Sequence, residues 1–358
     1  GFGMIANNVD DEDHDLFDEP NVGDIVERFL FATKPLQSID NDFCKNFVLA
    51  GGFDVVFRDD NANLVDGDLA MQGVVSLMYR ADWLTAGVYM AFRDQEDADG
   101  DTLKVQAYDL FVKWTHEWER YRFTLGVEAA LINGETTRIR HNQAREGVDV
   151  LGFGAVMQSR FEMTDIGLEA RLEVGYASGD NNLNDDKVRS FSFDPGYHVG
   201  MILFREVMGR VTARTLEHAR DPNLQGTPRQ GFDQIVSDGA ISNAIYINPV
   251  VRYKAPFGVR WDLGVLAAWS PADLVDAFAS NLNGGYNYNF LNNEVDSNYL
   301  GVEIDAGIGY EHTIREAVTI SLAVQGAVFV PGGAFDGPDG GATLDVVGKI
   351  RTTMALAW

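Results

Sequence analysis

The sequence is short of cysteine, proline, basic side chains and long apolar runs, and each shortage excludes something. A single cysteine, Cys44, leaves no disulfide framework and no cysteine-based zinc site. Only 10 prolines stand against 37 glycines and an aromatic set of 22 Phe, 12 Tyr and 6 Trp. Over 358 residues that balance favours one large all-β unit over two average soluble domains. Basic residues number 28 against 54 acidic ones, a formal net charge of -26. Phosphate recognition needs a basic face, so a nucleic-acid binder is excluded. The longest uncharged stretch, residues 317–335, contains Ser321, Gln325, Gly326, Pro331, Gly332 and Gly333, and it alternates. A spanning helix needs about 20 predominantly apolar residues. The chain opens at Gly1 with neither Met nor a basic start, so the sequence is expected to be that of a mature or truncated chain. Enzyme signals are missing too. The six histidines show no HExxH or paired-ligand spacing, and no GxSxG, P-loop or Rossmann fingerprint occurs. His141 and His198 fall in expected outer loops with nothing to mark a partner, so no enzyme is expected.

What is present is alternation at period two along nearly the whole chain. Tyr121, Phe123, Leu125, Val127, Ala129 and Leu131 oppose Arg122, Thr124, Gly126, Glu128 and Ala130. The same holds at 168–176, 259–269 and 300–310, and over about 45–58, 68–80, 84–93, 147–163, 241–253, 318–330 and 346–358. The stretch 102–116 alternates with a slip near Ala107 and Tyr108, which reads as a β-bulge. Weaker strands fall at 1–7 and 26–34, for a total of about 14.

Alternation alone also fits a soluble sandwich, and three features separate the two. Many strands run well past the usual mode of about 5–6 residues and reach the ~9–11 that a tilted membrane strand needs. Short connectors (81–83, 117–120, 164–166, 254–257, 314–316) alternate with long or polar ones (8–25, 59–67, 94–101, 138–146, 179–238, 271–297, 331–345), as in outer-membrane barrels. Aromatics gather beside the short turns: Tyr79, Trp83, Trp114, Trp118, Tyr121, Tyr253, Phe257, Tyr310 and Trp358. That is the place of an interfacial girdle, and the plainer reading is ordinary core aromatics. The expected fold class is all-β: a transmembrane, antiparallel, up-and-down β-barrel, one domain over 1–358 with a long extracellular or plug-forming insertion at 179–238.

If the apolar phase faces lipid, the other phase lines a lumen. Its basic set is Arg58, Arg80, Arg93, Lys104, Lys113, Arg122, Arg160, Arg171, Arg252, Arg260, Lys349 and Arg351. Its acidic set is Asp54, Asp109, Glu128, Glu162, Glu169, Glu173, Asp262, Glu303, Asp305 and Glu311. The lumen is then close to neutral, and nearly all of the negative charge lies elsewhere. Inward glycines, among them Gly52, Gly87, Gly152, Gly175 and Gly264, leave room for water, so an open pore is expected. Cross-strand ion pairs that fill the lumen are the alternative, and the two coexist at different heights.

The centre of the insertion is locally basic, with Arg205, Arg210 and Arg214 among Phe204, Val207, Met208 and Val211 at helical spacing. It is expected either to fold inward as a constriction or plug, or to stand outside as a hairpin or surface helix. The acidic loops at 8–25 and 94–101 offer carboxylates for Ca2+, with Asp97, Asp99 and Asp101 as weak candidates. Asp97-Ala-Asp-Gly100 is similar to the start of an EF-hand loop, but Gln106 stands where the distal Glu belongs. The plainer reading is a solvated acidic surface, bridged by divalent ions to lipopolysaccharide. No other cofactor is expected.

The segments Gly175-Tyr-Ala-Ser-Gly-Asp-Asn-Asn182 and Phe193-Asp-Pro-Gly-Tyr-His-Val-Gly-Met-Ile-Leu-Phe204 resemble porin-type barrels of the alginate-export kind. The opening Gly1-Phe-Gly-Met-Ile-Ala-Asn7 resembles a related bacterial outer-membrane family. These motifs cover about forty residues. The resemblance implies a bacterial outer-membrane location, an anionic saccharide as solute, and 16 or 18 strands in an intact protein if N-terminal strands are missing. The expected function is an outer-membrane channel for small polar or charged solutes. The alternative is a closed barrel acting as a structural or interaction component of an outer-membrane envelope complex; the expected partners are outer-membrane lipid, lipopolysaccharide and small polar solutes, with a second copy of the chain or an envelope-complex component as a further one.

Overall fold

The computed structural model describes residues 25–59, 61–194, 196–220, 231, 237–284, 287–314, 318–338 and 344–357. It is an all-β architecture whose strands follow one another around a single sheet. In chain order they are β1 (Ile25–Thr33), β2 (Phe47–Arg58), β3 (Leu69–Ala81), β4 (Leu84–Glu96), β5 (Thr102–Glu117), β6 (Tyr121–Thr136), β7 (Val148–Met163), β8 (Leu168–Ala177), β9 (Lys187–Val188), β10 (Ala244–Lys254), β11 (Val259–Trp269), β12 (Tyr299–Ile314), β13 (Val318–Pro331) and β14 (Val347–Ala357). Every long strand pairs antiparallel with its neighbours, β8 with β10, while the two-residue β9 lies parallel to β7. The strand expected at 1–7 and the terminal Trp358 lie outside the described residues. With this meander β1 and β14 run in the same direction, so a direct pair between them would be parallel.

The two faces of the sheet are the reverse of a soluble sheet's. Asp54, Glu128 and Glu303 are 0% exposed and Arg252 4%, whereas Leu263 is 55% and Ile304 51% exposed. Carboxylates turn inward and aliphatic side chains outward on long strands. The outward apolar surface runs continuously over Phe53, Val75, Leu110, Val127, Phe153, Val251, Leu263, Ile304 and Val328.

The expected bulge near Ala107 is absent. The register is unbroken from Leu84↔Trp114 to Glu96↔Thr102 and from Leu103↔Thr136 to Glu117↔Arg122. The pattern switches there, and the backbone does not. Toward the loop end the outward face becomes polar, with Asp94, Lys104, Asn133, Glu135 and Asp149 exposed, while the inward face of β5 carries Leu103 and Val105. Register shifts lie instead at the start of β1, where Ile25 pairs with Arg58 and Val26 with Val56, and at the start of β12, where Trp269 pairs with Tyr299 and Ala268 with Gly301. Leu300 is thereby turned inward and completely buried. Gly301 takes φ +130°, and a Cβ on it would lie 2.3 Å from the Val330 carbonyl oxygen. Only glycine fits that bulge.

The short turns carry the aromatics the sequence places there. Phe43 and Phe47 pack on Tyr79 with ring centroids 5.0 and 5.4 Å apart, Tyr121 stacks on Phe161 at 5.6 Å, and Tyr253 stacks on Trp261 at 5.7 Å. These rings lie on the outward face, beside the exposed Trp83, Trp118 and Phe257.

Candidate pore and its insertion

The connection from β8 to β10 turns inward. Phe191, Phe193, Tyr197, Val199, Met201, Ile202, Leu203, Phe204, Val207 and Met208 are all buried. They share one apolar core with inward residues of seven wall strands: Ala130, Val156, Ala177, Ala244, Tyr246, Leu266, Ala268, Leu300, Ala327 and Phe329. Residues Leu203–Met208 form a π-helical turn that continues into α1 (Gly209–Arg220). The helical spacing seen in the sequence is real, and Phe204, Val207 and Met208 are its buried side.

Three wall residues hold this segment. Glu303 on β12, fully buried, accepts hydrogen bonds from the backbone N–H groups of Met201, Ile202 and Leu203 at 2.5, 2.8 and 2.8 Å. Glu173 on β8 accepts from the hydroxyls of Tyr197 at 2.7 Å and Tyr246 at 2.5 Å, and from Gln158 at 3.1 Å. Burial, and then the neighbouring Glu173, push the Tyr197 hydroxyl well above its ordinary value, so it remains a donor. Lys349 on β14 donates to Glu206 at 2.7 Å and to the Met201 carbonyl at 3.3 Å. That hydrogen bond, with the positive charge behind it, holds the Glu206 carboxyl below the usual glutamate range.

Several inward glycines expected to leave water space seat rings instead. A Cβ on Gly175 would fall 2.2 Å from the Tyr246 ring, one on Gly87 2.8 Å from the Phe111 ring, and one on Gly152 3.3 Å from Phe191 Cβ. Missing side chains on one strand make room for large ones on the next strand or on the insertion.

The charged residues form pairs across strands. Arg122, Glu162, Glu169, Arg252 and Asp262 stand opposite one another on five neighbouring strands toward the short-turn end. Arg160 reaches Glu162 at 3.6 Å, Arg171 contacts Glu169, Arg252 lies 2.5 Å from Asp262 and 3.9 Å from Glu169, and Arg260 is 3.3 Å from Asp262. Five arginines meet three carboxylates here, with Glu117 drawing on Arg122 at 2.7 Å from the rim. At the loop end Arg93 grips Asp59 at 2.5 and 3.2 Å. Burial works to raise the Asp59 carboxyl, and the Arg93 guanidinium and two backbone N–H groups bring it below its ordinary value.

Most of the expected lining residues face inward, with one correction. Lys104 points outward between Asp94 and Glu135, because the strand does not slip. Arg58 and Arg80 share the inward phase but are exposed at opposite ends of the wall. Glu128, Asp305 and Asp109 are buried at mid-wall. Of the insertion arginines, Arg205 is half-buried, Arg210 is exposed and 3.1 Å from Glu206, and Arg214 borders a cavity of about 110 Å³ with Phe290 and Phe335. Asp97 and Asp101 are engaged by Arg138 at 2.8 Å and Arg140 at 2.5 Å, and Asp99 is exposed. Among the described residues no group of three or more acidic, His or Cys side chains is placed to hold a metal ion. The acidic loop 8–25 falls almost wholly outside them.

Sequence reasoning missed Arg28, which grips Asp54 at 2.7 and 2.8 Å, and the Tyr197–Tyr246–Gln158 set around Glu173. Arg28 lies on a weakly alternating strand. Tyr197 lies in a loop, where period two carries no signal.

No protein-family model matches the chain, and no curated protein does. Among solved structures it is similar to the outer membrane protein OprD from Pseudomonas aeruginosa, at 12% identity and TM-score 0.44 over 87% of this chain and 64% of that one. It is also similar to Pseudomonas aeruginosa OccK5 (OpdH), at 9% identity and TM-score 0.41 over 87% of this chain and 71% of that one. The chain thus spans less than two thirds of the length of OprD. At this distance neither likeness assigns this chain a function.

Proposed function

We propose that this chain is a bacterial outer-membrane channel that passes small polar or charged solutes through a charged lumen narrowed by the insertion at 179–238. One observation carries the reading: strands of up to 16 residues bury carboxylates and arginines on one face and expose aliphatic side chains on the other. Water favours the opposite arrangement and a bilayer favours this one. The aromatics beside the short turns fit an interfacial belt. Selectivity arises from the arginine-rich ladder near the short turns, which sets a positive local field against acidic outer loops. A small anion is the solute such a field draws in. An anionic saccharide is the form implied by the resemblance to alginate-export barrels. The acidic loops and the outward polar rim would meet lipopolysaccharide through divalent ions.

A second reading has its own support. The tight packing of the insertion against seven strands suits a closed barrel with a structural or interaction role in the envelope. Planar-bilayer recording of the refolded chain under a salt gradient separates the two. Resolved current steps with an anion-selective reversal potential support the channel. Silence from protein that shows heat-modifiable gel mobility supports the closed barrel, and cation selectivity overturns the role given to the arginine ladder.

A further inference from the structure

The turn at Leu203–Met208 has no cap of its own, since the residue before it, Ile202, offers no side-chain acceptor. A helical start leaves backbone N–H groups without partners and a partial positive charge. Met201, Ile202 and Leu203 are buried, so their N–H groups need partners within the protein. The wall supplies the missing acceptor. Glu303 reaches from β12 across a separation of a hundred residues and takes three successive N–H groups with its two oxygens. Gly200 makes the approach possible: its φ is +70°, and a Cβ there would come within 3.0 Å of Glu303 Oε1 and 2.9 Å of Leu266. Successive N–H groups converging beside a left-handed residue form an anion-binding concavity, and here the anion belongs to the wall.

From this geometry we propose that Glu303 is the positioning residue of the constriction: its carboxylate fixes the height and orientation of the insertion, and therefore where Arg205 and Arg210 stand in the lumen. The inference rests on the channel reading above. Lys349 steadies the same segment from β14 through Glu206 and the Met201 carbonyl, so the seat is held on both sides of the turn. Charge, three hydrogen bonds and a glycine that admits the carboxylate make one device. Shortening or neutralising the side chain weakens it: Glu303→Asp withdraws the carboxylate by one methylene, and Glu303→Gln keeps one accepting oxygen and loses the charge.

The test uses the full chain refolded in detergent and in planar bilayers, with Glu303→Ala, Glu303→Asp, Glu303→Gln and the outward-facing Lys104→Ala as control. Trypsin cleavage after the half-buried Arg205, read by mass spectrometry, reports the seating of the insertion whether or not the protein conducts. Single-channel conductance and open-state noise report the constriction. Cleavage after Arg205 is expected to quicken roughly tenfold or more in Glu303→Ala, as for loss of charge-assisted hydrogen bonds. Glu303→Gln is expected to be intermediate, Glu303→Asp close to Ala, and the control unchanged. Conductance or its noise is expected to rise in the same order. Cleavage that stays at the parental rate in Ala and Gln alike overturns the proposal. Faster cleavage with unchanged conductance keeps the seat and removes the insertion as the constriction. If the Ala variant fails to fold, the Gln variant decides on the same readouts.

Discussion

At the scale of single residues, the recurring event is a wall side chain meeting an insertion group that lies far away in sequence. Glu173 joins Tyr197 and Tyr246, and Lys349 joins Glu206. Removing one hydroxyl should be felt because the half-buried carboxylate loses a charge-assisted donor. Tyr197→Phe is expected to lower stability by about 1.5–3 kcal/mol, read as a lower temperature for the heat-modifiable transition. Tyr197→Phe with Tyr246→Phe should depart from additivity, since both donate to one oxygen. The Glu206 contact is pH-dependent with a definite sign. Its carboxyl is held below the ordinary value, so the contact contributes fully above the unfolded value, about 4.3 for glutamate, and is lost as pH falls through the lower folded value. Protection of the insertion from an acid-active protease should therefore be level from pH 8 to 5 and fall only below about pH 4. Lys349→Met should remove that dependence.

At the scale of elements, β11 shows how completely face decides consequence. Leu263 points outward at 55% exposure and Asp262, one residue earlier, inward at 3%. If the outward face meets lipid, Leu263→Arg is expected to cost about 2–4 kcal/mol in urea titrations of the vesicle-folded chain. The same change in a soluble sheet would be close to neutral, so a flat result would count against the membrane. Gly301→Val is expected to abolish the bulge at the start of β12 and to lower folding yield sharply, because the new Cβ collides with the Val330 carbonyl. Strand positions and the two faces were legible from period two. The phase slip near Ala107 was misread because a strand leaving the apolar band changes the polarity of both faces without changing its register. The true slip at Gly301 left no mark, since Leu300 is as apolar as the outward residues it was grouped with.

At the scale of the whole molecule, the insertion joins seven wall strands in one apolar core, and its removal should matter more to conduction than any single wall charge. Deleting 199–220 is expected to raise single-channel conductance; an unchanged value would mean that solute does not pass beside this segment. The outer connections reinforce it. Thr215 of α1 donates to Asp276 at 3.0 Å, and Asn289 donates to the Asp336 carbonyl at 2.8 Å, so three long loops lie together over the loop end of the sheet.

By itself the sequence determined the class of fold, the strand positions, the inward charge and the amphipathic turn of the insertion. All four follow from local periodicity, which the backbone imposes on neighbouring residues. It left open whether the insertion turns in or out, which arginine meets which carboxylate, and whether inward glycines make space or seat rings. Those depend on residues brought together across strands, as with Glu303 and Met201 or Gly175 and Tyr246. Only the pairing of strands in the sheet and the inward turn of the insertion place such partners within hydrogen-bonding or van der Waals reach, and no pattern along the chain encodes that distance.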